Sequence, residues 1–161
     1  MPASAMNFHV LLVDDDLMIS SALKEFLEIL GYRVSTAGDC QEAVSILEKG
    51  EKVDVMFLDY LMPSGTGTDL LRVIGDNEAL QRPPVIMSSS IIDPSNPDWR
   101  ELYERLPQIS QKLIHGYAQK PYTFENIEEL LTRTLNNSPA PTRVINGGFL
   151  APFDTSDKKA C

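Results

Sequence analysis

The feature that most constrains the fold is an alternation of short apolar runs with longer segments of helical periodicity, repeated along the chain. The predicted strands cover residues 8–13, 32–37, 53–58, 84–87 and 116–119. Between them, apolar residues recur at helical spacing, as in the stripe that includes Leu23, Phe26 and Leu27. Strands that alternate with helices form a parallel sheet covered by helices on both faces. The pattern therefore predicts an α/β fold with a five-stranded parallel sheet.

Polar residues and glycines mark the ends of the predicted helices. Asp16 fits an N-cap of the first helix, and Gly31 fits its C-cap. Asp39 followed by Glu42 resembles a capping box, and Thr123 is expected to begin the last helix. Each predicted strand is thus separated from the next helix by a short polar segment.

Charged side chains stand where three of the predicted strands end. Asp14 and Asp15 follow the first strand. Asp59 follows the third strand, and Lys120 follows the fifth. The carboxyl ends of parallel strands converge on one crevice, where ligands bind. Because carboxylates suit a divalent cation and lysine suits a phosphoryl oxygen, a site for both is expected at this edge.

The order, spacing and types of these residues resemble the receiver domain of two-component response regulators. The motifs are Asp14-Asp15-Asp16, Asp59 followed by Met62-Pro63, and Lys120-Pro121, and the resemblance covers residues 7–135. It implies a flavodoxin-like (βα)5 fold with strand order 2-1-3-4-5. Residues 136–161 begin with a linker composition and are expected to form a linker or flexible tail, although their apolar pairs leave docking on the domain or on a partner open.

The resemblance also implies a role for each residue of the site. Asp59 is expected to be the phosphoacceptor, and Lys120 the cation that neutralises a phosphoryl oxygen. Mg²⁺ is the implied cofactor, held by Asp14, Asp15, Asp59 and the backbone carbonyl of Leu61. The peptide bond between Lys120 and Pro121 is expected to be cis.

Two further residues are expected to act as a switch. Counting from the fourth strand selects Ser89 as the hydroxyl that bonds the phosphoryl group, while Ser88 and Ser90 leave a register error of one residue possible. Tyr117 matches the aromatic residue that turns inward when this hydroxyl moves toward the phosphoryl group. The implied output is a changed surface around the fourth helix, fifth strand and fifth helix.

Two regions depart from the family pattern. The segment 91–116 is longer than expected, with a helix near Pro97 capped by Ser95 or Asn96, and with Pro107 ending or splitting that helix. Trp99 and Tyr103 share one face of this helix, which more often means packing than a partner site. After Met62-Pro63, Gly67 is expected to provide the glycine of the turn.

Composition excludes several classes of function. A net charge of −9 argues against nucleic-acid binding by this chain, because phosphate contacts need clustered Lys and Arg. No apolar run is long enough for a membrane span, and the N-terminus lacks a secretory signal, so a cytoplasmic location is expected. Cys40 and Cys161 form no metal or disulfide pattern, and Cys40 is expected to be an ordinary helix-start residue.

The sequence thus predicts a single-domain response regulator receiver. It is expected to take a phosphoryl group from a histidine kinase or phosphotransfer protein and to bind an unknown downstream protein, and a phosphorylation-dependent homodimer is left open. It is not expected to be a turnover enzyme. The alternatives are a receiver fragment of a larger regulator, a haloacid dehalogenase-type phosphatase using Asp14-x-Asp16, and a module that binds partners constitutively.

Overall fold

The computed structural model describes residues 7–62, 65–90, 97–136, 142–145 and 148–150, with backbone alone for 97–99, 142–145 and 148–150. The helices are α1 (Leu17–Ile29), α2 (Cys40–Glu48), α3 (Gly67–Asp76), α4 (Pro97–Glu104), α5 (Gln108–Leu113) and α6 (Phe124–Leu135). The strands are β1 (His9–Val13), β2 (Arg33–Ala37), β3 (Val55–Asp59), β4 (Leu61–Met62), β5 (Gly65–Thr66), β6 (Val85–Ser89), β7 (Ile114–Gln119), β8 (Thr142–Ile145) and β9 (Gly148–Leu150).

The central sheet has the strand order β2-β1-β3-β6-β7-β8-β9. Strands β2, β1, β3, β6 and β7 pair in parallel. This confirms the predicted order 2-1-3-4-5, since β6 and β7 are the fourth and fifth predicted strands. All residues of β1 are buried because neighbouring strands lie on both sides and helices cover both faces.

Helices cover both faces of the sheet and enclose two cores. The core on the α1/α6 face includes Leu12, Leu27, Phe57, Ile86, Ala118 and Leu131. The core on the α2/α3/α5 face includes Leu11, Leu47, Leu58, Leu71, Met87, Leu113 and Tyr117. Successive strand residues alternate between the two cores, as Phe57 and Leu58 do. Within the part of the chain that the structure describes, every helix is too short or too polar to cross a bilayer.

The end of α1 follows the predicted glycine signal. Tyr32 N donates to Leu27 O at 3.1 Å and Gly31 N donates to Glu28 O at 3.0 Å, which is the hydrogen-bond pattern of a Schellman motif. Gly31 has a φ of 94°, a conformation that glycine adopts without steric cost.

The start of α2 differs slightly from the predicted capping box. Asp39 Oδ1 accepts from Glu42 N at 2.8 Å, as predicted. Glu42 Oε2 accepts from Gly38 N at 2.8 Å, whereas a capping box would use the N-cap N–H. Cys40 is the first residue of α2, as expected for a helix-start residue.

The connection between β6 and β7 contains two helices, α4 and α5. Pro107 occupies the N-cap of α5, so the proline separates the two helices as predicted. Tyr103 packs against the core of the α2/α3/α5 face, in line with its expected packing role. The predicted caps Ser95 and Asn96, and the side chain of Trp99, lie outside the described residues.

Helix α5 packs closely on α3. Ser110 Oγ donates to Leu71 O at 2.9 Å. A Cβ added at Gly75 would meet Ser110 Oγ at 2.6 Å and Ile109 Cγ2 at 3.0 Å. The absence of a side chain at Gly75 therefore allows this approach between the two helices.

The sheet continues beyond the five predicted strands, which corrects the expectation of a linker or flexible tail for part of residues 136–161. Strand β8 pairs in parallel with β7, and β9 pairs antiparallel with β8. The physical reason is that β7 would otherwise present an open edge, while Val144, Ile145 and Phe149 are residue types that favour strands. Residues 137–141, 146–147 and 151–161 lie outside the described residues.

Candidate functional site

The carboxyl edge of the sheet brings three acidic residues together. Asp14 follows β1 and is fixed by its N–H, which donates to Ala37 O at 3.0 Å. Asp59 is the last residue of β3. Carboxylate oxygens of Asp14, Asp15 and Asp59 all lie within 4.8 Å of one another. Asp14 and Asp59 are buried and Asp15 is exposed, so the cluster opens to solvent on the Asp15 side.

Lys120 completes this arrangement from the end of β7. Its Nζ lies 3.0 Å from Asp14 Oδ2 and 3.5 Å from Asp59 Oδ1. Its backbone N–H donates to Ser89 O at 3.0 Å, which anchors the residue to β6. The bond between Lys120 and Pro121 is cis, as predicted. The sequence-predicted acids and lysine therefore meet at one place.

The charges of the site oppose one another. Burial, together with the charges of Asp14 and Asp15, outweighs the attraction of Lys120 and raises the pKa of Asp59 from 3.8 to about 6. Burial lowers the pKa of Lys120, but its hydrogen bond to Asp14 and the charges of Asp14 and Asp59 leave that pKa above its ordinary value. Lys120 is therefore held as a cation between two buried carboxylates.

The residues after β3 form a small hairpin of β4 and β5. Gly67 N donates to Tyr60 O at 2.8 Å across the hairpin, which makes Leu61 and Thr66 a non-hydrogen-bonded pair. Thr66 N donates to Asp69 Oδ2 at 2.9 Å. Within the described residues of this hairpin, the ladder therefore does not use the Leu61 carbonyl. That oxygen is available for the ligand role that the resemblance implies.

Gly67 has a different structural role from the expected turn glycine. It is the first residue of α3, and a Cβ there would meet Asp59 O at 2.6 Å and Leu58 Cγ at 3.1 Å. Gly65, in the described part of the same loop, has a positive φ of 143°. Gly67 thus allows the start of α3 to approach the backbone of the candidate phosphoacceptor. Pro63, part of the predicted motif, lies outside the described residues.

Strand alternation separates the neighbouring serines. Ser88 pairs with Ala118, which belongs to the core of the α1/α6 face. Met87 pairs with Tyr117, and both belong to the opposite core. Ser89, two residues after Met87, shares the face of Tyr117 because strand side chains alternate. The structure therefore places Ser89, the predicted switch hydroxyl, on the same face as the predicted switch aromatic.

Tyr117 and Ser90 have opposite environments. Tyr117 is 2% exposed, so its ring occupies an inward position. Ser90 follows β6 and is exposed. The inward position of Tyr117 is the one that the resemblance assigns to the activated arrangement.

The donor set fits a divalent cation that prefers oxygen. Asp14, Asp15 and Asp59 provide carboxylates, the hard ligands that Mg²⁺ prefers. Asp16 is engaged elsewhere, because its Oδ1 accepts from Met18 N at 3.1 Å and Ile19 N at 3.2 Å and so caps α1. The Asp14-x-Asp16 pair of the phosphatase alternative is therefore not assembled as a joint ligand set.

Tyr122 is a residue that the sequence analysis missed. Its ring contacts Phe57 edge-on, with centroids 5.7 Å apart and an interplanar angle of 88°. Burial raises the pKa of Tyr122 to about 12, with the charge of Lys120 opposing this rise. The available signal was an aromatic residue directly after Lys120-Pro121.

Comparison with known proteins identifies the class. The family model of the response regulator receiver domain matches residues 10–132. The chain therefore belongs to the response regulator receiver domain family. Its fold, strand order and acidic carboxyl edge agree with this membership.

Individual relatives are similar over most of their length. The two-component response regulator ORR3 of Oryza sativa subsp. indica is 33% identical over 127 residues, covering 79% of this chain and 90% of the rice protein. The chemotaxis protein CheY-3 of Vibrio cholerae is 30% identical over 128 residues, covering 79% and 91%. The solved structure of the chemotaxis response regulator CheY4 of Vibrio cholerae gives a TM-score of 0.65 at 25% identity, covering 79% of this chain and 98% of that chain.

Proposed function

We propose that this chain accepts a phosphoryl group on Asp59 from a phosphohistidine of a sensor histidine kinase or histidine phosphotransfer protein. The observation that carries the proposal is the position of Asp59, which faces Asp14 and Asp15 and lies 3.5 Å from Lys120 Nζ. The match to 90% of the length of a rice response regulator supports a regulator that consists of a receiver domain alone. Because phosphohistidine is made from ATP, the proposed setting is the cytoplasm.

The transfer exchanges one bond to phosphorus for another. A carboxylate oxygen of Asp59 attacks phosphorus, and the new P–O bond forms as the P–N bond to the donor imidazole breaks. The imidazole keeps the bonding electron pair and takes up a proton. Lys120 neutralises charge on the phosphoryl oxygens, since such transfers depend on positioning and electrostatic stabilisation.

Asp14, Asp15, Asp59 and the Leu61 carbonyl would hold Mg²⁺ at this edge. When bound, Mg²⁺ supplies positive charge beside the phosphoryl oxygens. Asp15 is exposed and offers the entrance to the site, while Asp14 holds Lys120 through its Oδ2 at 3.0 Å. The carboxylates of this cluster would thus bind the ion, and Asp14 also holds Lys120.

The proposed output is a change of binding surface. Ser89 would approach the phosphoryl group, and its shared face with Tyr117 would couple that movement to the surface around α4, β7 and α6. The receiving partner is a downstream protein or a second copy of this chain. Because the phosphoryl group stays on Asp59 until water removes it, the chain would act as a signalling domain that modifies itself.

Intact mass after incubation with acetyl phosphate tests the proposal. The native chain should gain a single phosphoryl group in the presence of Mg²⁺ and none in EDTA. Asp59→Asn should gain none. Asp76→Asn, which changes an exposed carboxylate at the end of α3, is the matched control and should behave as the native chain does.

The alternatives give different masses. An adduct that survives Asp59→Asn would show that another residue is the nucleophile. A native chain that gains no adduct under any of these conditions would contradict the proposal and favour constitutive partner binding.

A further inference from the structure

Two hydroxyl groups lie buried beside the site, on the α1/α6 face. They belong to Ser88 and Tyr122, and among the described residues neither forms a hydrogen bond of standard geometry. A buried hydroxyl without a partner is unfavourable, and most in native proteins find a partner in protein or ordered water. The two hydroxyl groups on this face are therefore candidate partners for each other.

The backbone places Ser88 next to Asp59 and Tyr122 two residues after Lys120. Ser88 pairs in register with Asp59 on one side and Ala118 on the other. Tyr122 follows the cis bond between Lys120 and Pro121, and its ring is held by the edge contact with Phe57. Burial raises the pKa of Tyr122, while the charge of Lys120 and an interaction with the Ser88 hydroxyl lower it. The two hydroxyls are therefore within interaction range.

Lys120 is the neighbour that such a pair would influence. Its Nζ must stay between Asp14 Oδ2 at 3.0 Å and Asp59 Oδ1 at 3.5 Å to meet an incoming phosphoryl group. A lysine stem has many rotamers, and the carboxylates restrict only its tip. The charge of Lys120 lowers the pKa of Tyr122 and the charges of Asp14 and Asp59 raise it, so the Tyr122 hydroxyl lies within electrostatic range of all three.

We propose that Ser88 and Tyr122 form a hydroxyl pair that positions Lys120 for the phosphoryl group. Ser88 orients the Tyr122 hydroxyl, and the ring, fixed against Phe57, confines the lysine to the side of Asp14 and Asp59. Both are positioning residues, since they act through Lys120. The inference rests on the proposed function of Asp59 as phosphoacceptor.

The test measures the rate of Asp59 phosphorylation by acetyl phosphate in Tyr122→Phe, Ser88→Ala and the double variant. Tyr122→Phe keeps the ring, so its packing on Phe57 is retained. Each single variant should slow phosphorylation at saturating acetyl phosphate by about tenfold, in the range seen for residues that orient reacting groups. The double variant should be no slower than the slower single variant, because the two hydroxyls act as one unit.

Matched controls separate positioning from general packing. Tyr32→Phe removes a hydroxyl from another tyrosine of the same core and should keep the native rate. Ser88→Thr retains the hydroxyl and should restore most of the rate lost in Ser88→Ala. The Mg²⁺ concentration that gives half the maximal rate should stay unchanged, since the carboxylates are untouched. Circular dichroism verifies that each variant is folded.

Three results would overturn the inference. The first is a native phosphorylation rate in both single variants, and the second is a rate in the double variant that falls by the product of the two single effects. The third is a shifted Mg²⁺ dependence, which would mean that the pair acts through the carboxylates. Failure of the proposed function looks different. A native chain that gains no phosphoryl group overturns that function, and the hydroxyl pair then has no reaction to serve.

Discussion

Two regions of this molecule differ in their effect on the free energy of unfolding: the carboxyl edge of the sheet lowers it, and the contact between α3 and α5 raises it. At the carboxyl edge, Asp14, Asp15 and Asp59 are gathered against their mutual repulsion, with Lys120 as the intervening cation. At the contact of α3 with α5, a glycine and a buried serine let two helices pack closely. The second region buries a serine whose hydroxyl is hydrogen-bonded. The first buries two carboxylates of like charge close together, which is unfavourable. Such conflicts are expected at functional sites, where the surrounding scaffold compensates for them.

Removing the lysine should have the largest effect on this comparison. Lys120→Met keeps the apolar stem but leaves Asp14 and Asp59 without their cation. Breaking a largely buried ion pair in this way should lower the free energy of unfolding at pH 7 by about 2–3 kcal/mol. Urea unfolding measures the loss.

Lys24→Met is the control, because Lys24 pairs with Glu28 on the surface of α1, at 3.8 Å. That change should cost less than about 0.5 kcal/mol. Equal stability of Lys120→Met and the native chain would show that Lys120 does not offset the repulsion between Asp14 and Asp59.

The second prediction concerns the pH dependence of Asp59. Burial, with the charges of Asp14 and Asp15, raises the pKa of Asp59 in the folded state to about 6, from 3.8. The folded chain therefore binds this proton more tightly than the unfolded chain, and stability falls as pH rises from about 4 to about 6. Asp59→Asn removes this cost, so at pH 7 it should be more stable than the native chain by about 1–3 kcal/mol.

Urea unfolding in EDTA at several pH values measures the difference. The gap between Asp59→Asn and the native chain should close as the pH approaches 4. A gap that is independent of pH, or a variant less stable at pH 7, would be inconsistent with a desolvated carboxylate at this position.

The third prediction probes the helix contact. An exposed helical Gly→Ala change usually stabilises by up to about 1 kcal/mol. Gly75→Ala should instead destabilise by about 1–2 kcal/mol, because overpacking forces neighbouring groups apart. Its Cβ would meet Ser110 Oγ at 2.6 Å.

A double-mutant cycle with Ser110→Ala sharpens this test. The loss in the double variant should be smaller than the sum of the single losses, since the colliding hydroxyl is gone. Gly38→Ala is the control, because its Cβ would meet Glu42 Oε2 at an ordinary 3.6 Å. Additive losses at Gly75 and Ser110 would show that the two helices are not in close contact there.

The smallest effect is expected at the surface of the β6–β7 connection. Arg105 forms an ion pair with Glu101 one helical turn away, and both side chains are largely exposed. Arg105→Gln should change the free energy of unfolding by about 0.3 kcal/mol, and less in high salt. Thermal unfolding at low and high salt measures it, and a large loss would mean that this segment contributes more to stability than its packing indicates.

The site could be predicted because its residues stand at strand ends. Parallel strands bring those ends to one edge, so Asp14, Asp59 and Lys120 follow from the local pattern alone. The hydroxyl pair of Ser88 and Tyr122 could not be found in this way, because it depends on which face each residue takes and on contacts across the sheet. Local patterns contain no information of that kind.

Two further features show the same limit. Strands β8 and β9 depend on an open edge at β7, which a single segment does not reveal. Gly67 is explained by its approach to Asp59 O, a contact across the loop rather than a turn requirement. The sequence did indicate Pro107 as a helix break, because proline acts on its own local backbone.

The most direct test of the central claim is to locate the phosphoryl group on the native chain. Borohydride reduces an aspartyl phosphate to homoserine, and peptide mass spectrometry then identifies the modified residue. The account predicts homoserine at position 59 after treatment with acetyl phosphate and Mg²⁺. Homoserine at position 14 or 15, or a phosphoryl group on a hydroxyl or histidine side chain, would contradict it.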